Sequence, residues 1–330
     1  MSRFRVVVAD FITDELHPER QILGDIADLE SLNATSEHDL VGKIETASAV
    51  MLYHNIAITQ HTISRLQGCK LIVRCGVGFD NVDRAAARER GIPVANVPDY
   101  GTEEVADSAI AMMLALTRGV NLFNNRLQRQ FGDWSYMQGI PLVRLRGRVF
   151  AIIGLGRIGT AAALRAKAFG MDVAFYDPYV NDGVDKAIGV RRVEALDDLF
   201  RQAFVLSVHC PLTEETRHIV DARGIALMPD SSYLVNTARG ATVDATAIPA
   251  AIRSGKLAGA GIDVLPIEPP PADHPLLVAW RDPNDPCHDR VIVNPHAAFY
   301  SEEGLRDMRV KGAQAVRRAL LGQPLRNVVN

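Results

Sequence analysis

The chain has 330 residues, 48% of them apolar and 23% charged, with a formal net charge of −3. That length suits two domains with ample core, and the near-neutral balance leaves no basic footprint for nucleic acid. The opening MSRFRVVVAD carries an apolar patch too short for a signal peptide, and the most apolar helical stretch, Val105 to Leu116, is interrupted by Asp107 and too short to span a bilayer. Neither nucleic acid nor a membrane is an expected partner. Cys69, Cys75, Cys210 and Cys287 lack C-x-x-C spacing and read as reduced, buried thiols of a cytoplasmic protein. Cys287, His288 and His274 match no standard ligand spacing, so no metal is expected.

In chain order, FRVVVAD (4–10) reads as a strand ending in an acid, followed by a helix from about Pro18 to Leu29. Ala49 to His54 is a strand, Thr59 caps a short helix to Leu66, and Leu71 to Arg74 is a strand running into Cys75-Gly76-Val77-Gly78. Asp83 caps a helix to Arg90, and Ile92 to Ala95 is the next strand. This β-α-β alternation implies a parallel sheet with helices on its faces over residues 1–99. Pro98 marks a break. Thr102, with Glu103 and Glu104 behind it, starts a long helix that is apolar all round through Leu116 and therefore buried, between domains or at a subunit contact. Trp134 and Tyr136 read as tertiary packing, with reach to a neighbouring subunit as the alternative.

Residues 148–177 follow as strand, glycine turn, helix, strand and acid. Ile153 ends the first strand and Gly154-Leu155-Gly156-Arg157-Ile158-Gly159 fits G-x-G-x-x-G. The first glycine permits the turn, the second lets a diphosphate approach, and the third lets helix and strand pack closely. Asp177, 18 residues past Gly159, can accept hydrogen bonds from an adenosine ribose. Its carboxylate would repel a 2′-phosphate, so NAD is expected over NADP; Arg191 and Arg192 lie far along the next segment. Beyond are a helix from Leu196, a strand from Phe204 to His209, and helical or turn-like residues 212–228. Ser232 to Asn236 is a strand, Asp244 caps a helix to Arg253, and Ala258 to Asp263 is a strand. Glu268 to Arg290 reads as loop, Val291 to Asn294 as a strand, and Ser301 to Leu321 as an amphipathic helix.

Ligands of open α/β sheets bind beyond the carboxyl ends of strands, so polar groups placed there are the candidates. Arg239 can clamp a carboxylate and polarise a neighbouring carbonyl, or form a salt bridge. His296, after Pro295, can take a hydroxyl proton as hydride leaves the same carbon, or be a structural histidine. Glu268 is a surface acid or, if it touches His296, a partner that favours the imidazolium. Asp263 can bind a cofactor carboxamide or cap a turn. Cys75 to Gly78 can aim successive N–H groups at an anion, or merely bend. Together a cation, a base, an acid and a dinucleotide turn suit hydride transfer between nicotinamide and the carbinol carbon of a small carboxylic acid.

CGVGFDNVD (75–83), NVPDYGTEEVADSA (96–109), GLGRIG (154–159), LVNTARGATVD (234–244), DVLPIEPP (263–270) and NPHAAF (294–299) are six separated motifs in one order. By them the whole chain resembles the D-isomer-specific 2-hydroxyacid dehydrogenases. ALRAKAFGMDVAFYDPYVNDGV and HAAFYSEE look most like the C-terminal-binding-protein branch. The resemblance implies two parallel-sheet α/β domains: a flavodoxin-like substrate domain, 1–99 with 298–330, and an NAD-binding Rossmann domain, 100–297. It implies Arg239, Glu268 and His296 as catalytic residues, and a substrate carboxylate against Gly76-Val77-Gly78 with Arg74 nearby. It places Val105, Ile153 to Ile158, Asp177, Cys210, Pro211, Thr216, Thr237, Ala238, Arg239, Asp263 and His296 around NAD, with dimerisation through the helix after Thr102. Phe299 stands where that branch usually has tryptophan, which bears on the choice of keto acid, and Glu268 argues against the formate-dehydrogenase offshoot. The expected activity is NAD-dependent 2-hydroxyacid dehydrogenation or 2-keto acid reduction. The alternatives are an NAD(H)-sensing regulatory protein and, with the sequence closing at Asn330, a short phosphoglycerate dehydrogenase.

Overall fold

The computed structural model describes residues 3–129, 132, 134–139 and 141–330. The chain divides into two compact units, one running to Gly101 and resumed over Tyr300–Asn330, the other Thr102–Phe299.

The first unit is a sheet of β1 (Phe4–Val8), β2 (Ala27–Ser31), β3 (Ala49–Leu52), β4 (Ile72–Arg74) and β5 (Val94–Asn96) in the order β2-β1-β3-β4-β5. Every pairing is parallel, and the order is that of flavodoxin-like sheets. β3 and β4 are buried throughout, as short apolar runs covered on both faces should be. The helix Glu302–Leu320 returns to this unit. Ser301 caps it by accepting the Gly304 N–H at 2.8 Å, and Glu302 and Glu303 stand at its positive end. Inside the unit, Arg309 donates to both oxygens of Glu19 at 2.7 Å and to both of Asp14. The last residues close the free edge of β5, with Val329 N–H on the Val94 carbonyl at 2.8 Å and an antiparallel bridge from Val328 to Ala95.

The second unit carries β6 (Val149–Ile153), β7 (Asp172–Tyr176), β8 (Arg191–Arg192), β9 (Val205–Val208), β10 (Ser232–Asn236), β11 (Leu257–Ile262) and β12 (Val291–Val293). The order is β12-β11-β10-β9-β6-β7-β8, all parallel. The chain starts in the middle of the sheet and leaves in both directions, so the switch point lies between β6 and β9. Alternation along β6 builds two cores. Phe150 and Ile152 face the helices Thr102–Thr117 and Arg157–Ala168, while Ala151 and Ile153 join the core that holds Leu206, Leu234 and Ile262.

Several elements differ from expectation. The first helix is short, His17–Leu23, and the rest of its expected span is β2. Gly24 ends it, and Ala27 and Leu29 then alternate with exposed Asp28 and Glu30, a period of two that a helix cannot bury. The long helix extends to Thr117, Gly119 breaks it at φ 66°, and a further helix, Val120–Arg129, follows with no buried residue. The span expected to be loop holds the helices Pro275–Arg281 and Cys287–Arg290; Pro275 sits in the first turn, where its missing N–H costs nothing. Trp134 and Tyr136 are exposed instead of packed. Ala298 and Phe299 go with the second unit, where the Ser108 hydroxyl donates to the Ala298 carbonyl at 3.1 Å. Among the described residues no single helix is long and apolar enough to cross a membrane.

Candidate active site

The glycine turn after β6 has the form that its spacing demands. Gly154 adopts φ 92°, and a side chain there would meet Cys210 N at 2.6 Å, so the turn after β6 lies directly on the turn after β9. Gly159 lets the helix Arg157–Ala168 pack on the strand, since a Cβ would stand 2.1 Å from the Gly154 carbonyl oxygen. A Cβ on Gly156 meets nothing within 4 Å. Here the backbone is open to a diphosphate, beside the positive end of a helix. Asp177, after β7, accepts the Leu155 N–H at 2.8 Å and the Tyr179 N–H at 2.9 Å. It thus fixes the glycine turn and keeps further lone pairs on both oxygens.

A second cluster follows β10, β11 and β12. His296 adopts φ 54°, with its N–H on the Asp263 carbonyl at 2.7 Å. Its Nδ1 lies 2.7 Å from Glu268 Oε2, and Glu268 Oε1 accepts the Leu265 N–H at 2.9 Å. Burial alone would raise the Glu268 carboxyl; the bond and positive charge of His296, the Leu265 N–H and the charge of Arg239 outweigh it and hold it below 4.5. Phe299 stands edge-on to the imidazole, 6.3 Å between ring centres. The loop of Arg239 is tied by Asn236, whose Nδ2 donates to the Arg239 carbonyl and whose Oδ1 accepts the Ala238 N–H, both at 3.0 Å. Of the two readings of Asp263, the geometry shows the turn cap. Buried, it accepts the N–H groups of Ala297 and Ala298 at 2.9 and 3.1 Å. Burial pushes its carboxyl up, against the pull of those N–H groups.

Val105 lies buried in the first turns of the helix Thr102–Thr117, and Cys210, Pro211 and Thr216 follow β9. Burial pushes the Cys210 thiol up to about 12, which leaves it a neutral, apolar wall. Thr216 turns its hydroxyl to the Pro211 carbonyl at 2.7 Å. Among the described residues the Thr237 hydroxyl, buried after β10, has no partner; buried polar atoms rarely stay unpaired, and a polar atom of a bound nucleotide would satisfy it. With the open Gly156, this orphan hydroxyl makes the second unit a fit for a dinucleotide. Burial pushes His209 down to about 4, so it stays neutral and is no rival to His296 as acid and base.

In the first unit, Arg74, Cys75, Gly76, Val77 and Gly78 follow β4. Gly76 sits at φ 150° under the Arg74 guanidinium; a Cβ there would lie 1.5 Å from Nη1. Val77 is held by the Asn96 amide on its carbonyl at 2.7 Å. Among the described residues the N–H groups of Gly76, Val77 and Gly78 have no acceptor, as an anion-holding turn requires.

Sequence reasoning set Arg192 aside and missed Asn236. Arg192 lies over the Phe175 ring and donates to the carbonyls of Asp177, Val180 and Asn181. Strand pairing of β8 to β7 carries it back across 15 residues, a closeness that separation in sequence hides. The asparagine before the TARG turn is a residue that bonds local backbone, and that was its available signal.

The family model for the NAD binding domain of the D-isomer specific 2-hydroxyacid dehydrogenases matches residues 110–298. D-3-phosphoglycerate dehydrogenase of Methanocaldococcus jannaschii is 35% identical over 98% of this chain, and C-terminal-binding protein 1 of Caenorhabditis elegans is 32% identical over 98%. The chain spans only 60% and 44% of the lengths of those two relatives. The crystal structure of D-lactate dehydrogenase from Aquifex aeolicus, complexed with NAD and lactic acid, superposes with a TM-score of 0.83 at 28% identity, covering 96% of each chain. Six motifs in order, the glycine turn, the histidine–glutamate pair and these likenesses converge: the chain belongs to the D-isomer-specific 2-hydroxyacid dehydrogenase family.

Proposed function

We propose that the protein is an NAD-dependent dehydrogenase of small D-2-hydroxy acids, working in cells as a 2-keto acid reductase. The observation that carries this is the 2.7 Å contact of His296 Nδ1 with Glu268, in the unit that also holds the Gly154–Gly159 turn. When bound, NADH supplies the hydride. Arg239 pairs with the substrate carboxylate and draws electron density from the C2 carbonyl. His296, its Nδ1 engaged by Glu268, turns Nε2 to the C2 oxygen and gives it a proton as the carbon is reduced; in the reverse direction it takes that proton back. In the first unit, Arg74 and the N–H groups of Gly76 to Gly78 form a turn suited to a carboxylate. The first unit is thereby the substrate domain and the second the nucleotide domain.

Asp177 selects NAD. A 2′-phosphate would face its carboxylate, and Arg192 is committed to three carbonyls. A homodimer is the proposed assembly, because Val120, Trp134, Tyr136 and Met137 are exposed apolar residues in one stretch. The buried, unpaired cysteines suit the reducing cytoplasm.

The test is purified protein with NADH or NADPH and a panel of 2-keto acids. Turnover should favour NADH, and His296→Ala should lower kcat by roughly 10²- to 10⁴-fold. Undiminished turnover in that variant, or equal efficiency with NADPH, would refute the reading. The similarity to C-terminal-binding protein 1 keeps an NAD(H)-sensing binding protein as the second reading. No turnover of any keto acid, with NADH-dependent capture of a partner, would favour it.

A further inference from the structure

A separate cavity lies at the other end of the second unit's sheet. It is bounded by Leu116, Leu122, Leu142, Asn121, Tyr233 and Arg290 and has a volume of about 80 Å3. Tyr233 stands near the start of β10 and Arg290 immediately precedes β12, so the cavity opens at the amino ends of these strands. Arg239, Asp263 and His296 follow the carboxyl ends of β10, β11 and β12.

The lining has two characters. Leu116, Leu122 and Leu142 give it apolar surface. Tyr233 is only 5% exposed, and its hydroxyl makes no hydrogen bond among the described residues. The acid of the wall, Asp289, is already engaged by Arg129 at 2.6 Å and Arg126 at 3.2 Å. The Arg290 guanidinium has neither an ion pair nor a hydrogen bond among the described residues. Burial pushes the Tyr233 phenol up, while the positive charges of Arg290 and Arg118 pull it down, so the field in this corner is positive.

We propose that this cavity binds a short aliphatic carboxylate, its chain on the three leucines and its carboxylate between Arg290 and the Tyr233 hydroxyl. Size limits the guest to a few heavy atoms, since drug-sized ligands need about 300 Å3 or more. Charge selects an anion, because a guanidinium without a partner forms a charge-assisted bond that a neutral group cannot match. The leucines select a carboxylate with a chain over inorganic phosphate, which would leave the apolar surface wet.

Butyrate is the probe, with butyramide and inorganic phosphate as comparisons, measured by calorimetric titration of the full chain. Butyrate should bind wild type at least about tenfold more tightly than either comparison. Arg290→Gln, a change at an exposed side chain, should weaken butyrate about tenfold. Ala258→Leu, which fills the cavity, should remove binding, with melting curves showing both variants folded. Butyrate that occupies the substrate site is lost in Arg239→Ala, whereas the binding that Arg290→Gln weakens should persist in Arg239→Ala, because this cavity is at the opposite strand ends. Loss of all butyrate binding in Arg239→Ala, or equal binding by Arg290→Gln and wild type, overturns the proposal. Phosphate binding as tightly as butyrate would overturn the choice of a carboxylate.

Discussion

Two glycines three residues apart, Gly156 and Gly159, have different physical duties, and substitution separates them. Gly156 is in the extended region, φ −74°, and an added Cβ meets nothing within 4 Å. Gly156→Ala should therefore melt like wild type and lose affinity for NADH, read by fluorescence titration. Gly159→Ala drives a Cβ to 2.1 Å from the Gly154 carbonyl oxygen and should lower stability by about 1–3 kcal/mol. The reverse pattern would show that the turn serves packing alone. Glu268 makes a prediction in pH. Its folded value lies below the ordinary 4.5, so its contribution to stability is present above pH 4.5 and is lost as pH falls through that lower folded value. Glu268→Gln should remove this acid limb from a plot of Tm against pH, and should lower kcat as well. A variant whose Tm profile overlays wild type down to pH 3 would sink the argument. These residues were legible in the sequence because their chemistry is local: a glycine spacing and a histidine after a proline announce themselves. The partner of His296, 28 positions away, was legible through the family resemblance and not through spacing.

At the scale of elements, what sequence conveyed depended on how an element is stabilised. Central strands such as VFAII and SYLVN are continuous apolar runs and were read correctly. β2 was taken for helix, because its two buried residues are too few to establish a period alone. The helix Val120–Arg129, with no buried residue, offers no core-facing stripe to find within this chain. The turn carrying His296 depends on Asp263, whose carboxylate accepts from Ala297 and Ala298. Sequence left its duty undecided between cofactor and turn. Asp263→Ala strands two N–H groups, each costing about 1–3 kcal/mol when buried. The expected outcome is a lower Tm and a fall in kcat, as the imidazole loses its placement. A raised KM for NADH at unchanged Tm would instead make Asp263 a cofactor ligand.

At the scale of the whole molecule, the chain's ends belong to one unit and its middle to the other, an arrangement that chain-order reading could not derive. Local pattern stops at the last helix and does not say which sheet it covers; the family resemblance supplied that. In the structure, charge states it. Arg309 reaches Glu19, 290 residues earlier, and Glu19 is 0% exposed at its side chain. Removing one partner of a buried pair leaves the other charged and desolvated, at about 3–5 kcal/mol. Arg309→Met should thus lower the stability of the first unit by that amount, read as a lower urea midpoint. Replacing Glu19 with Gln in the same chain should recover part of it, because no charge is then left buried. The second unit, folded around its own cores, should keep its NADH affinity at urea concentrations where the first unit has opened in Arg309→Met. A single transition that takes NADH binding with it would show that the two units fold as one, and a double variant less stable than Arg309→Met would show that Glu19 is held by something other than this arginine.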